Sequence, residues 1–321
     1  MPLARASSHE MPHEHAHGAH DHGAHAHDDR AGDRARLLVV LACGLVITAA
    51  EVVGGLLANS LVLLADAAHY ATDVFAVGIA YVATGIAMRP ANARKTYGYQ
   101  RAEVVAAFVN AAALWGLSAY FLYEAYRRVV APPTVDGALV MLVGGVSLVV
   151  NAGLALVLTR RAEGNLNVRA AYLHVLSDVA GSAAALVSGA LVAWFGWHVA
   201  DPLVTLFITV LILVFTWRLT RDTLHILLQG TPRRIDMEAL ERTLREVAPV
   251  KEVHELHVWS LTSGSEVLSV HVVLDAPPQG DEVTHDIHAL LRDRFGIDHV
   301  TVQVESPECP CDSARCAPTV A

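Results

Sequence analysis

Charge is what this chain has least of. Asp, Glu, Lys and Arg make up 17% of its 321 residues, against a hydrophobic share of 54% and a mean hydropathy of +0.40. Soluble domains carry about a quarter charged residues, so the deficit excludes an ordinary pair of water-soluble domains. The shortage is also local. Charged residues fall mostly before Arg36, in short connections and after Arg218, which leaves apolar runs such as Leu37 to Leu57 and Val199 to Trp217. Each is close to the ~20 residues that cross ~30 Å of hydrocarbon.

Cysteine is scarce too. Cys43 lies inside the first apolar run and Cys309, Cys311 and Cys316 near the end, a spacing that excludes a secreted disulfide framework and fits a reducing compartment. The polar, His-rich N-terminus lacks the short apolar core and small-residue cleavage site of a signal peptide, so the first span is expected to act as the insertion signal. The formal net charge of -9 is set largely by the C-terminal region. It identifies no partner, and nothing points to nucleic acid.

What is present in quantity is membrane-spanning sequence. Hydropathy and helix breakers predict six transmembrane helices, roughly 36–57, 61–88, 102–126, 137–159, 166–192 and 199–221. Twelve basic residues flank the membrane on the side of the two termini, and only Arg127 and Arg128 flank the other. By the positive-inside rule both termini are cytoplasmic. The compact loops suit a multi-pass protein of a bacterial inner membrane.

From Asp222 charged and apolar residues interleave, as in a small soluble domain. Helices are expected over Ile235 to Val247 and Glu282 to Phe295. Strands are expected over Val250 to Ser260, Glu266 to Asp275 and His299 to Glu305, with a turn at Ser263 and Gly264. The order αββαβ predicts an α+β unit over 222–308 with helices on one face of a small sheet. Self-association would help so small a unit. The chain thus divides into a tail (1–35), a six-helix membrane domain (36–221), the cytoplasmic unit and a Cys-containing tail (309–321).

Ionisable side chains inside the apolar runs need a reason, since each costs about 2.5–3.5 kcal/mol at a helix centre. The second span carries Asp66, His69 and Asp73, and the fifth His174 and Asp178. Each contains His, three residues, Asp. On a helix that separation turns about 40° and rises about 6 Å, so each His and its Asp project from one face. Two imidazoles and two carboxylates match the ligand types and number for tetrahedral zinc. The plainer alternative is that each His is a buried side chain bonded to its own Asp, but two matching pairs in separate spans make that coincidence hard to accept. Glu51, Asn110 and Asn151 are weaker candidates for a polar pathway. Gly54, Gly55, Gly144, Gly145 and Gly181 read as packing residues.

Together these residues resemble the cation diffusion facilitators, the zinc, cadmium and cobalt efflux family. The likeness is carried by Ser60 to Asp73 (SLVLLADAAHYATD), Thr96 to Asn110 (TYGYQRAEVVAAFVN), Arg169 to Asp178 (RAAYLHVLSD), Val253 to Trp259 (VHELHVW) and His299 to Glu305 (HVTVQVE). The resemblance implies a homodimer that exchanges cytoplasmic metal for external protons by alternating access, with a ferredoxin-like cytoplasmic domain that binds further metal and helps dimerise. It implies His69, Asp73, His174 and Asp178 as the transport ligands, with His at the first position associated with zinc. In the cytoplasmic domain it implies His254, His271 and Glu305 as ligands of a structural or regulatory zinc, with His285 as a fourth and His288 competing on the same helix. Two departures are evident. The loop near Thr159 to Asn165 is short where the family often has a His-rich one, and Gln229 stands where some members place an acid that pairs with the base at Arg101.

Eight histidines between His9 and His27 lie among Ala, Gly, Glu and Asp, a composition that builds no packed core and is expected to collect metal loosely. His9 to His13 spells a metalloprotease motif, but Pro12 sits inside it and forbids the helix that motif requires. The three C-terminal cysteines read either as a weak metal site or as an unstructured reduced tail, with metal binding the favoured expectation. A rival reading of the whole chain is a membrane-anchored metal sensor that signals through its cytoplasmic domain. An anchor, however, has no need of paired His and Asp in two spans. An intramembrane hydrolase would need a glutamate base beside the ligands, which is lacking, so no enzyme activity is expected.

Overall fold

The computed structural model describes residues 42–159, 166–275 and 280–305. The His-rich tail and the three C-terminal cysteines lie outside them. Six apolar helices come first: α1 (Ala42–Ala58), α2 (Leu61–Ala87), α3 (Arg101–Val130), α4 (Gly137–Thr159), α5 (Leu166–Phe195) and α6 (Ala200–Leu227). Five of these, α2 to α6, are long and apolar enough to cross a membrane, and α1 is a shorter apolar helix. Their outward surfaces are apolar, with Val46, Leu57, Tyr81, Leu156, Phe207 and Phe215 all more than two-thirds exposed. Such a surface suits lipid, where helices satisfy their own backbone hydrogen bonds.

Several ends differ from the sequence expectation. Helix α4 has the expected bounds, but α6 continues six residues past 221, through Arg221 and Asp222 to Leu227. Charge marks where a helix leaves lipid, not where its backbone bonding stops. The turn into α2 is formed by Asn59 at φ 53° and capped by Ser60, whose side chain accepts from the Leu63 N–H. Asp201, at the start of α6, reinforces that cap by accepting from the Ser60 hydroxyl at 2.5 Å and the Leu61 N–H at 2.6 Å. The first residues of α2, Leu61 to Leu63, are buried, whereas Val77, Tyr81 and Val82 near its other end are exposed. Helices α4 and α5 touch backbone to backbone: a Cβ at Gly137 would stand 2.5 Å from Ala193 N, and one at Gly189 2.6 Å from Met141 N. Small residues permit this approach. Of the glycines expected to pack, Gly144 meets the α5 backbone, while a Cβ at Gly145 would make only ordinary contact.

The α/β unit comprises α7 (Met237–Arg245), β1 (Val250–Thr262), β2 (Ser265–Leu274), α8 (Gly280–Phe295) and β3 (His299–Glu305). Its order is the expected αββαβ. Helix α7 starts at Met237, not Ile235, because Asp236 caps it by accepting from the Glu238 and Ala239 N–H groups. The sheet order is β1-β2-β3, with β1 antiparallel and β3 parallel to β2. One face packs Val253, Leu256, Val258, Leu268, Val270 and Val272 against Leu240, Leu244, Ile287 and Leu291 of the two helices. A bulge at Glu255, φ 47°, shifts the register between His254 and His257. It moves β1 from burying Val253 to burying Leu256 and Val258, and so leaves both histidines on the helix-free face.

One carboxylate joins the two parts. Glu103, near the start of α3, accepts from Thr84 of α2 through Oε1 at 3.1 Å and from Thr262 of β1 through Oε2 at 3.2 Å. Tyr97, in the connection between α2 and α3, meets His299 edge to face.

Candidate metal centres

Helices α2 and α5 run antiparallel, so the order of the candidate side chains reverses between them and Asp73 lies at the level of His174. Asp73 Oδ2 is 3.7 Å from both His69 Nε2 and His174 Nδ1, and His174 Nε2 is 3.9 Å from Asp178 Oδ2. These separations exceed a hydrogen bond, so neither His is simply bonded to its own Asp. They come near the roughly 3.3 Å between ligand atoms around an ion with bonds of ~2.0 Å. Asp73 Oδ2 and His69 Nδ1 are buried with no hydrogen-bond partner among the described residues, which leaves polar capacity that a cation can take up. Asp178 is buried, and the other three are partly exposed.

On the side away from the α/β unit, a cavity of about 10 Å³, the order of a single water, is lined by Glu51, Asp66, Tyr70, Asn151 and Asp178 among others. Glu51, 3% exposed, is hydrogen-bonded to Ser147, and Asn151 donates to Ser182 at 3.1 Å. A Cβ at Gly181 would collide with the Asp66 carboxyl group, so that glycine makes room for a polar side chain from the neighbouring helix. Asn110, on α3, does not line this cavity.

A second cluster stands on the helix-free face of the sheet. His254 and His271 are cross-strand partners, and Glu305 ends β3. His271 Nδ1 is 2.8 Å and His254 Nε2 3.4 Å from the Glu305 carboxylate, and the three ligand atoms lie within 4.8 Å of one another. Gln303 donates to Glu305 Oε1 at 2.8 Å and helps to orient it. A buried carboxylate between two imidazoles supplies three of the four positions that a structural zinc site needs, so the residues fit such an ion. His285 does not join them. It is exposed on α8, which packs Val283, Ile287 and Leu291 onto the opposite face of the sheet, so in one chain the sheet stands between. His288 is on the same helix.

Sequence reasoning passed over Tyr70, Glu103 and Asp201. Tyr70 reads as one more aromatic in an apolar run, and Asp201 as a charge at a helix start.

Apolar helices with lipid-type surfaces, polar groups enclosed among them and an α/β unit beyond the last helix define a multi-pass membrane protein. The cation efflux transmembrane domain matches residues 37–228, and the cytoplasmic domain of cation efflux proteins matches residues 232–307. The chain is 38% identical over 291 residues to the metal cation efflux system protein CzcD of Cupriavidus metallidurans, covering 90% of this chain and 92% of that one. It is 36% identical over 301 residues to the zinc transporter ZitB of Escherichia coli, covering 93% and 94%. With the cadmium, cobalt and zinc/H(+)-K(+) antiporter of Bacillus subtilis the identity is 39% over 269 residues, covering 82% and 86%. The solved metal-bound C-terminal domain of CzcD is 40% identical, covering 22% of this chain and 99% of that one with a TM-score of 0.21. The chain belongs to the cation efflux family.

Proposed function

We propose that this protein exports a divalent metal ion, zinc first, from the cytoplasm across a bacterial inner membrane in exchange for protons. The carrying observation is the convergence of His69, Asp73, His174 and Asp178, from two separate apolar helices, on one small volume. Relatives named as zinc transporters and as a zinc/H(+)-K(+) antiporter support the same reading. In it α1 is the first of six spans, both termini are cytoplasmic, and the ion reaches the four ligands from the side of the α/β unit.

The site chemistry suits exchange. Imidazole ordinarily titrates near pH 6.5, so protons compete with the ion for the same nitrogens within the physiological range. Release on the far side follows when protons occupy His69 and His174. Alternating access then requires α2 and α5 to move relative to the rest of the bundle. In the α/β unit, His254, His271 and Glu305 would hold a resident zinc, whose contribution is to cross-link three strands of one sheet. The match to the family's cytoplasmic domain supports a homodimer formed through this unit.

The test is zinc uptake into everted membrane vesicles under an imposed pH gradient. Wild type accumulates zinc and Asp178→Ala does not. Equal uptake by the two would refute the site.

A further inference from the structure

Tyr70 follows His69 on α2, so its side chain leaves the helix about 100° away from the ligand face. It is nevertheless tied to the transport site from the other side. Its ring stacks on the imidazole of His174, with centroids 5.9 Å apart and planes inclined at 24°. Its hydroxyl end reaches α1 at Gly44, which is buried and so close that a Cβ there would overlap the Tyr70 hydroxyl and Cζ. The ring is therefore held between the backbone of one helix and the imidazole of another. It also walls the small cavity that contains Glu51, Asp66 and Asp178.

His174 needs such a support. Metal-bound histidines are usually oriented by a hydrogen bond from the second ring nitrogen. Here Nδ1 faces Asp73 at 3.7 Å and Nε2 faces Asp178 at 3.9 Å, both beyond hydrogen-bond reach. Each nitrogen points at a prospective co-ligand, and among the described residues neither bonds to a group that would fix the ring plane. The stacked aromatic face does so instead, since offset stacking restricts tilt while leaving both nitrogens free.

Resting on the function proposed above, we propose that Tyr70 is a positioning residue for the transported ion: clamped by Gly44, its ring sets the plane of the His174 imidazole and so the affinity of the site. A restrained ligand loses less freedom when it binds. The effect falls on ion capture, and so on KM, more than on turnover.

The experiment uses the purified full-length protein in proteoliposomes, with initial rates of zinc uptake measured against zinc concentration. Tyr70→Leu, which removes the aromatic face, raises KM by about tenfold, the lower range for loss of an orienting group around a metal, with kcat changed far less. Tyr70→Phe keeps the ring and stays near wild type. Gly44→Ala leaves Tyr70 in place but denies the ring its space, and raises KM as Tyr70→Leu does. The double variant Gly44→Ala/Tyr70→Leu matches Tyr70→Leu alone, because the added methyl then has nothing to displace. An unchanged KM in Tyr70→Leu, or single effects that multiply in the double variant, overturns the proposal. Should Tyr70→Leu not fold, Gly44→Ala and Tyr70→Phe still decide it, since the first must raise KM and the second must not. His174→Ala separates the two levels of the argument. If it transports like wild type, the ligand assignment fails; if it is inactive while Tyr70→Leu is silent, only the role of Tyr70 fails.

Discussion

Ser60 donates its hydroxyl hydrogen to Asp201 at 2.5 Å across 141 residues of chain, and the neighbouring N–H groups of Leu61 and Val62 turn to the same carboxylate. Asp201 is fully buried. A carboxyl group so placed is tolerable only while its hydrogen bonds are satisfied, and here the N-terminus of the helix that carries His69 and Asp73 satisfies them. Asp201→Ala strands those donors and should cost about 3 kcal/mol. Thermal unfolding of the detergent-purified protein measures this directly, and Asp201→Asn should fall between the two. Equal melting points for wild type and Asp201→Ala would show that the clamp does not hold.

In the proposed transport site Asp73 has one oxygen equidistant from His69 and His174. Asp73→Asn is therefore expected to abolish uptake. His69→Asp keeps four ligands but exchanges a single imidazole nitrogen for a carboxylate that can bind through two oxygens, which suits a larger ion with more ligands. Parallel zinc and cadmium uptake should show that this variant loses preference for zinc. An unaltered ratio would mean that His69 does not face the ion.

The trio His254, His271 and Glu305 links three strands, so zinc bound there should protect the sheet. At a hundredfold excess over Kd the stabilisation is about 2.7 kcal/mol. Hydrogen exchange of the full-length protein should slow in β3 when zinc is added and return on chelation. Glu305→Gln should abolish the difference. Exchange that ignores zinc in the wild type would count against an ion at this position.

Arg234 forms two bonds to Glu266, at 2.9 and 2.7 Å, and also donates to the Phe295 carbonyl. The bond to Glu266 raises the guanidinium pKa further above its ordinary value, against a smaller opposing effect of burial. A raised pKa contributes stability that is present below the unfolded value and lost only as pH climbs through the folded one, far into alkali. The contribution of Arg234 should hence be constant between pH 6 and pH 9. Because the side chain is half exposed, Arg234→Lys should cost only about 1 kcal/mol, measured as a shift in the denaturant midpoint of the α/β unit. A loss that varies across that range would point to a different partner.

Much of this was legible in the chain because lipid imposes a coarse rule. Apolar runs of set length mark helices, and α4 ends where hydropathy ends. The rule says nothing of backbone bonding beyond the bilayer, and so it stops α6 too early. His69, Asp73, His174 and Asp178 stood out because charge among apolar residues is costly wherever it points. His285 could not be placed the same way, since which face of the sheet α8 covers is a matter of tertiary packing. The bulge at Glu255 decides which side of β1 carries His254, and no alternation in the sequence announces it. Tyr70 was hidden for the opposite reason: an aromatic in a membrane helix is unremarked until its neighbours are known.

Glu103 has only two carboxylate oxygens, and it gives one to Thr84 and the other to Thr262. Any rocking of the sheet that draws Thr262 away stretches or breaks one arm of this bridge, whose other arm ends on the last turn of α2. The sheet and the rod that carries His69 and Asp73 are thus fastened to one carboxylate, through a knot of three side chains.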